Sequence, residues 1–123
     1  MSVNKAIIFG NVGNAPEVRD VNGSKVASFR VATSERYKDR NGEQHENVEW
    51  HSVVCWRNLA EFVEKYIKKG DKVYVEGKIR SREYTPQDGA KRTIVEIVAD
   101  KVEPGGKIQK VEQDDMPSDD APF

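Results

Sequence analysis

Apolar and polar residues alternate with a period of two along most of the first hundred positions. Ala27, Phe29, Val31 and Thr33 alternate with Val26, Ser28, Arg30 and Ala32. Val73, Val75, Gly77 and Ile79 alternate with Tyr74, Glu76, Lys78 and Arg80. Successive side chains of a strand point to opposite faces, so this period predicts strands with one apolar side. Five are predicted: Lys5 to Gly13, Lys25 to Ser34, Val48 to Trp56, Lys72 to Tyr84, and Arg92 to Val102. Pro16 to Arg19 continues the first in extended form, and Gly77 marks a candidate bulge in the fourth. Asn22-Gly23, Asn41-Gly42 and Asp88-Gly89 favour the positive backbone angles of tight hairpins. Glu35 to Asn47, charged and polar, reads as a long hairpin tip or mobile loop.

One segment follows a different period. Leu59, Phe62, Val63, Tyr66 and Ile67 fall on one face of a helix running from Asn58 to Lys69. Asn58 and Glu61 have the spacing of a capping box. Lys68 and Lys69 suit a last turn, and Gly70 suits a C-terminal cap. The apolar stripe is expected in the core. Strand, hairpin, strand, hairpin, strand, helix, strand, hairpin, strand is the layout of an OB-fold. The expected fold is therefore an all-β barrel of five strands with one helix between the third and fourth. Beyond residues 103–106 the periodicity ends. Residues 1–104 are read as the barrel domain and 105–123 as a disordered acidic tail.

Charge sharpens that division. Residues 1–102 carry 18 Lys and Arg against 15 Asp and Glu, a net +3. Residues 103–123 carry 2 Lys against 6 Asp and Glu, a net −4. A basic body can meet phosphates and an acidic tail cannot, so the overall net charge of −1 does not argue against a nucleic-acid partner. The single cysteine, Cys55, excludes a disulfide within the chain. With no apolar run near 18 residues and no secretory leader, the expected location is the cytoplasm, in association with the nucleoid.

Both tryptophans lie in the third strand, Val-Glu-Trp-His-Ser-Val-Val-Cys-Trp, residues 48–56. Trp50, Ser52, Val54 and Trp56 share one side; Glu49, His51, Val53 and Cys55 share the other. A small barrel accommodates Val53 and Cys55 but not two indoles. The indoles either pack under a loop or in a subunit contact, or they form a stacking platform for unpaired bases. Tyr37, set among Arg36, Lys38 and Arg40, favours the platform, because cations follow phosphates while a ring accepts a base. Arg57, Lys78, Arg80 and Arg82 extend the candidate phosphate contacts.

Catalytic readings fare worse. His45, His51 and Cys55 are the soft ligands; His51 and Cys55 share a strand face, but two ligands do not make a zinc site and a third is not evident. His51 and Cys55 lie roughly 13 Å apart on a strand, too far for proton transfer. There is no paired acid/base signature, no Walker loop and no GxGxxG. Neither an enzymatic activity nor a cofactor nor a metal is expected.

The chain resembles the bacterial single-stranded DNA-binding proteins over nearly its whole length. The resemblance rests on Asn4 to Gly13 with Pro16-Glu17-Val18-Arg19, and on Ala32-Thr33-Ser34-Glu35 and Glu49-Trp50-His51. Leu59-Ala60-Glu61, Tyr66 with Lys69-Gly70, and Val73 to Gly77 continue it in order and spacing. Asp119-Asp120-Ala121-Pro122-Phe123 is similar to the family's acidic tip. The resemblance implies that Tyr37, Trp50, Trp56 and Tyr84 stack on bases, and that four chains assemble as a homotetramer. It further implies that Asp119, Asp120, Ala121, Pro122 and Phe123 dock replication, recombination and repair proteins. The alternatives are an OB-fold RNA-binding or primosome-type protein, and an adaptor whose barrel only presents the tail.

Overall fold

The computed structural model describes residues 1–105. Six strands and one helix follow in the order β1 (Ala6–Val12), β2 (Glu17–Val21), β3 (Ser24–Lys38), β4 (Gln44–Trp56), α1 (Asn58–Tyr66), β5 (Lys72–Tyr84) and β6 (Arg92–Pro104). All strands join one sheet in the order β1-β5-β6-β4-β3-β2, and β1 also pairs with β3. That extra pairing closes five strands into a ring and leaves β2 attached to the edge of β3. The pairings are antiparallel except the short one between β4 and β6.

The sequence counts five strands because it reads residues 5–19 as one extended stretch. The structure divides that stretch into β1, against β5, and β2, against β3. The break falls at Gly13 to Pro16, where proline has no N–H to offer a ladder. Local bonds bridge the gap: the Gly13 N–H donates to the Arg30 carbonyl at 2.7 Å. The Arg30 N–H donates to Asn14 Oδ1 at 3.0 Å.

The core lies inside the ring and follows the alternation. Phe29, Val31, Val53, Cys55, Val73, Val75 and Val102 are buried together. The helix adds Ala60 and Val63, and Ile67 follows just beyond its end. Leu59 and Phe62 pack partly against the same core, whereas Tyr66 stays exposed. The helix ends three residues before the expected Lys69, and its basic last-turn residue is Lys65. The capping-box expectation also fails. The cap position is Arg57, with φ 58°, and no side chain caps the first turn. The Arg57 N–H instead donates to the Lys25 carbonyl at 2.7 Å, so β3 fixes the turn from β4 into the helix.

The largest difference lies at Glu35 to Asn47. The ladder of β3 and β4 continues through this segment to Lys38 opposite Gln44, leaving residues 39–43 as the tip. Of the two forms expected for this segment, the structure has the hairpin, with longer strands and a shorter tip: a two-stranded ribbon beyond the barrel has no core to bury and is polar on both sides. Asp39 organises the turn, its Oδ1 accepting the Asn41 and Glu43 N–H groups at 2.8 and 3.0 Å. The expected bulge occurs in the partner strand: Glu76 faces Lys101 while Gly77 faces Ala99, which leaves Asp100 as the extra residue. Glycine is required at 77, because a Cβ there would sit 2.2 Å from the Val98 carbonyl oxygen.

Candidate nucleic-acid interface

Cross-strand register sets out the barrel's outer face residue by residue. On β3 and β4, Val26 faces Trp56, Ser28 faces Val54, Arg30 faces Ser52, and Ala32 faces Trp50. Continuing outward, Ser34 faces Val48, Arg36 faces Glu46, and Lys38 faces Gln44. Val53 pairs with Ile97 and Val54 with Val98, which brings Glu96 beside Ser52. Beyond β6, Arg80 faces Glu96, Arg82 faces Ile94, and Tyr84 faces Arg92. Alternation thus gathers Trp50, Trp56, Tyr84, Arg36, Lys38, Lys78, Arg80 and Arg82 on one continuous outer face. Arg40 lies in the tip of the ribbon, and Arg57 at the turn into the helix, its Nε 3.4 Å from Ser24 Oγ.

Trp50 is half exposed and held in place. A Cβ on Gly13 would lie 2.2 Å from Trp50 Cζ3, so the indole rests directly on the glycine backbone. The Arg30 guanidinium carbon stands 5.3 Å from the ring centroid. An indole backed by Gly13 and Arg30 and open on its remaining surface has less freedom to lose when a base stacks on it than a fully solvated one. Trp56 is partly buried and ends β4, beside the turn at Arg57. Tyr84 is exposed at the far end of β5.

Tyr37 lies elsewhere. Alternation along β3 puts it on the side of Phe29 and Val31, the opposite side from Trp50. Its ring stacks on His45 with centroids 5.3 Å apart and planes 24° from parallel. His45 Nε2 in turn lies 2.8 Å from Asp39 Oδ2. That bond, with the backbone N–H groups of Glu43, Asn41 and Gly42, holds the Asp39 carboxyl below its ordinary value. Arg36 and Lys38 therefore share a face with Trp50, and Tyr37 does not.

Arg80 and Arg82 are ordered by an acid that the sequence does not single out. Glu96 is 3% exposed. Its Oε2 accepts from Arg80 Nη2 at 2.6 Å and from Arg82 Nε at 3.2 Å. Glu96 looks like one more charge in a strand until the register puts two arginines directly beside it. Arg30 and Arg19 are further basic residues not singled out as contacts. Both line a cleft of about 380 Å³ on this face.

The reactive candidates are quiet. Cys55 is buried, and burial pushes its thiol up to about 12, so the thiolate that would act as a nucleophile is absent near neutrality. His51 Nε2 pairs with Thr33 Oγ1 at 2.9 Å. Among the described residues one group of possible metal ligands comes together, Asp39, Glu43 and His45. Its Asp39 oxygens already serve the hairpin turn and His45. Also among the described residues, no helix is long and apolar enough to cross a membrane.

Comparison with known proteins shows which family the sequence and fold are similar to. The model of the Single-strand binding protein family matches residues 3–104. A single-stranded DNA-binding protein of Neisseria meningitidis is 50% identical over 103 residues, covering 83% of this chain and 59% of the relative. One from Bacteroides thetaiotaomicron is 53% identical over 106 residues, covering 84% and 66%. This chain thus spans about three fifths to two thirds of those relatives. A solved structure described as a Plasmodium falciparum SSB complex with ssDNA superposes with a TM-score of 0.75 at 34% identity. That likeness covers 85% of this chain and 94% of the other.

Proposed function

The chain belongs to the single-strand binding protein family, and from that premise we propose that it binds single-stranded DNA without regard to sequence, as a non-catalytic protein. The observation that carries the proposal is the outer face. A half-open Trp50, held by Gly13 and Arg30, shares that face with Trp56, Tyr84 and a field of cations. Every base has a π-face, so indole stacking supplies affinity with little sequence preference, about 1–3 kcal/mol per base. Cations along the same face neutralise phosphates and release counterions. The proposed stacking set is Trp50, Trp56 and Tyr84, with Tyr37 reached where the strand bends around the ribbon. Arg36, Lys38, Arg40, Arg57, Lys78, Arg80 and Arg82 are the proposed phosphate contacts. The place of action is the cytoplasm, with the nucleoid.

The proposed assembly is a homotetramer. Ile7 and Phe9 are about half exposed on β1, with Tyr74 facing Phe9 across β5. Neighbouring apolar side chains of this kind suit a second copy of the chain better than water. Asp119, Asp120, Ala121, Pro122 and Phe123, which lie outside the described residues, are the proposed docking tip for replication, recombination and repair proteins.

The test titrates intrinsic tryptophan fluorescence with poly(dT), with single-stranded RNA of matched length, and with duplex DNA. Quenching with poly(dT) at sub-micromolar concentration, weak quenching with RNA and little with duplex supports the reading. Tighter binding of RNA would transfer the protein to the RNA-binding alternative, and no quenching by any of the three would remove nucleic acid as the ligand.

A further inference from the structure

The outer face between the two tryptophans is indented. The cleft of about 380 Å³ opens there, between β2, β3 and β4 on one side and the β5–β6 hairpin on the other. Ser28, Ser52 and Val54 line it, together with Arg19, Arg30 and Arg82. Trp50 and Trp56 bracket this floor along β4, six residues and thus roughly 20 Å apart.

The charges in the cleft are unequally committed. Glu96 is bonded to Arg80 and Arg82. Glu17 stands at the lining as the other acid. Among the described residues, every ion pair within 4.0 Å leaves out both Arg19 and Arg30. The Arg30 backbone is clamped by Gly13 and Asn14, so its side chain starts from a fixed point. A guanidinium with no carboxylate partner, stacked by one face on Trp50 and on a lining shared with two serines, keeps its N–H donors for an anion with several oxygens, in a planar fork that suits phosphate.

We propose that this cleft seats a backbone phosphate of the DNA strand running between bases stacked on Trp50 and Trp56, with Arg30 as the principal contact and Arg19 beside it. The inference rests on the single-stranded DNA reading above and adds a site to it. Bases on the two indoles bring the intervening sugar-phosphate across Ser28 and Ser52, where Arg30 faces Ser52 directly. Arg30 also stands over Trp50, so one side chain links a stacked base to the phosphate next to it.

The experiment measures poly(dT) affinity as a function of salt for the full chain, Arg30→Ala, Arg30→Lys, Arg19→Ala/Arg30→Ala and the helix-surface control Lys65→Ala. One lost phosphate contact on a single strand lowers the salt slope by about 0.7. Arg30→Ala should lose that amount and bind at least about 3-fold more weakly at about 0.2 M salt, the loss that a slope change of about 0.7 carries at that concentration. The double variant should lose about twice the slope, and Lys65→Ala should match the parent. Arg30→Lys should recover the slope but only part of the affinity, since ammonium cannot fork or stack. A weaker Arg30→Ala with the parental slope would mean that Arg30 only positions Trp50, and would overturn the phosphate seat. So would an equal loss in Lys65→Ala. If the unaltered chain itself fails to bind poly(dT), the failure belongs to the function reading, and the variants are not needed to show it.

Discussion

Glu96 makes the two arginines beside it unequal to ordinary surface cations, and mutation should expose the asymmetry. The Glu96 side chain is 2% exposed, whereas those of Arg80 and Arg82 are 44% and 43% exposed. Truncating both arginines strands a buried carboxylate. Breaking a buried pair from one side costs about 3–5 kcal/mol, mostly as the penalty of the charge left behind. The arginines are also the cover over Glu96, so their loss admits water and favours the lower end, about 3 kcal/mol. Glu96→Gln is a milder change. It leaves two half-exposed guanidiniums that remain hydrated, and the amide oxygen still accepts one bond, for a cost of about 1 kcal/mol. Once Glu96→Gln is in place no carboxylate can be stranded, so removing both arginines should then cost about 1 kcal/mol or less. The coupling between the acid and the arginine pair is thus about 2 kcal/mol. Urea unfolding followed by fluorescence, at one fixed protein concentration, measures all four corners of the cycle. If the double arginine truncation costs the same with and without Glu96→Gln, Glu96 is not the anchor of this face. The cycle also bears on binding, because weaker DNA binding by Arg80→Ala/Arg82→Ala must be read only on molecules shown to be folded.

Three further outcomes follow from single contacts. Gly13→Ala must displace the Trp50 ring, since its Cβ would lie 2.2 Å from Cζ3; affinity for poly(dT) should fall roughly tenfold, within the value of one stacked base, with unchanged affinity showing the ring's position to be immaterial. Cys55, with its thiol raised to about 12 by burial, should resist a thiol reagent at about pH 8 in the native protein and react promptly in denaturant; equal rates would contradict the buried placement. Asp39 has a carboxyl lowered from 3.8, so its support for the hairpin tip is present above that value and is lost as pH falls through the depressed one. Exchange of the Asn41 and Glu43 amide protons, corrected for intrinsic rates, should therefore rise only below pH 3.8, and a rise already at about pH 5 to 6 would assign the effect to another group.

Much of the barrel was legible because its strands keep one apolar side. Val53 and Cys55 read as inward from alternation, and both are fully buried. Trp50 read as outward and is half exposed. The ribbon beyond the barrel was illegible for the opposite reason: with no core beneath it, residues 35–38 and 44–47 show no apolar period although they are paired. The helix start at Asn58 is legible but its cap is not, because Asn58 has the composition of a cap while the cap position is Arg57, whose N–H bonds to the Lys25 carbonyl. In the interface, the outward tryptophans follow from strand parity alone. Glu96 and Arg30 do not, because their significance depends on which residue of another strand lies opposite, and the register of β4 with β6 is fixed only in three dimensions. Strand parity separates Tyr37 from Trp50, but it applies only where residues 35–38 are strand rather than the tip or loop that their polar composition predicts.

The central claim is that the outer-face indoles bind single-stranded DNA by stacking, and truncating them tests it most directly. Trp50→Ala and Trp56→Ala, each confirmed as folded by circular dichroism and urea midpoint, are titrated with labelled poly(dT) by anisotropy at fixed salt. Each should bind more weakly by about 1–3 kcal/mol while retaining the parental salt slope, since a stacked base and not a phosphate contact is lost. Folded variants that both bind with the parental affinity would contradict the account.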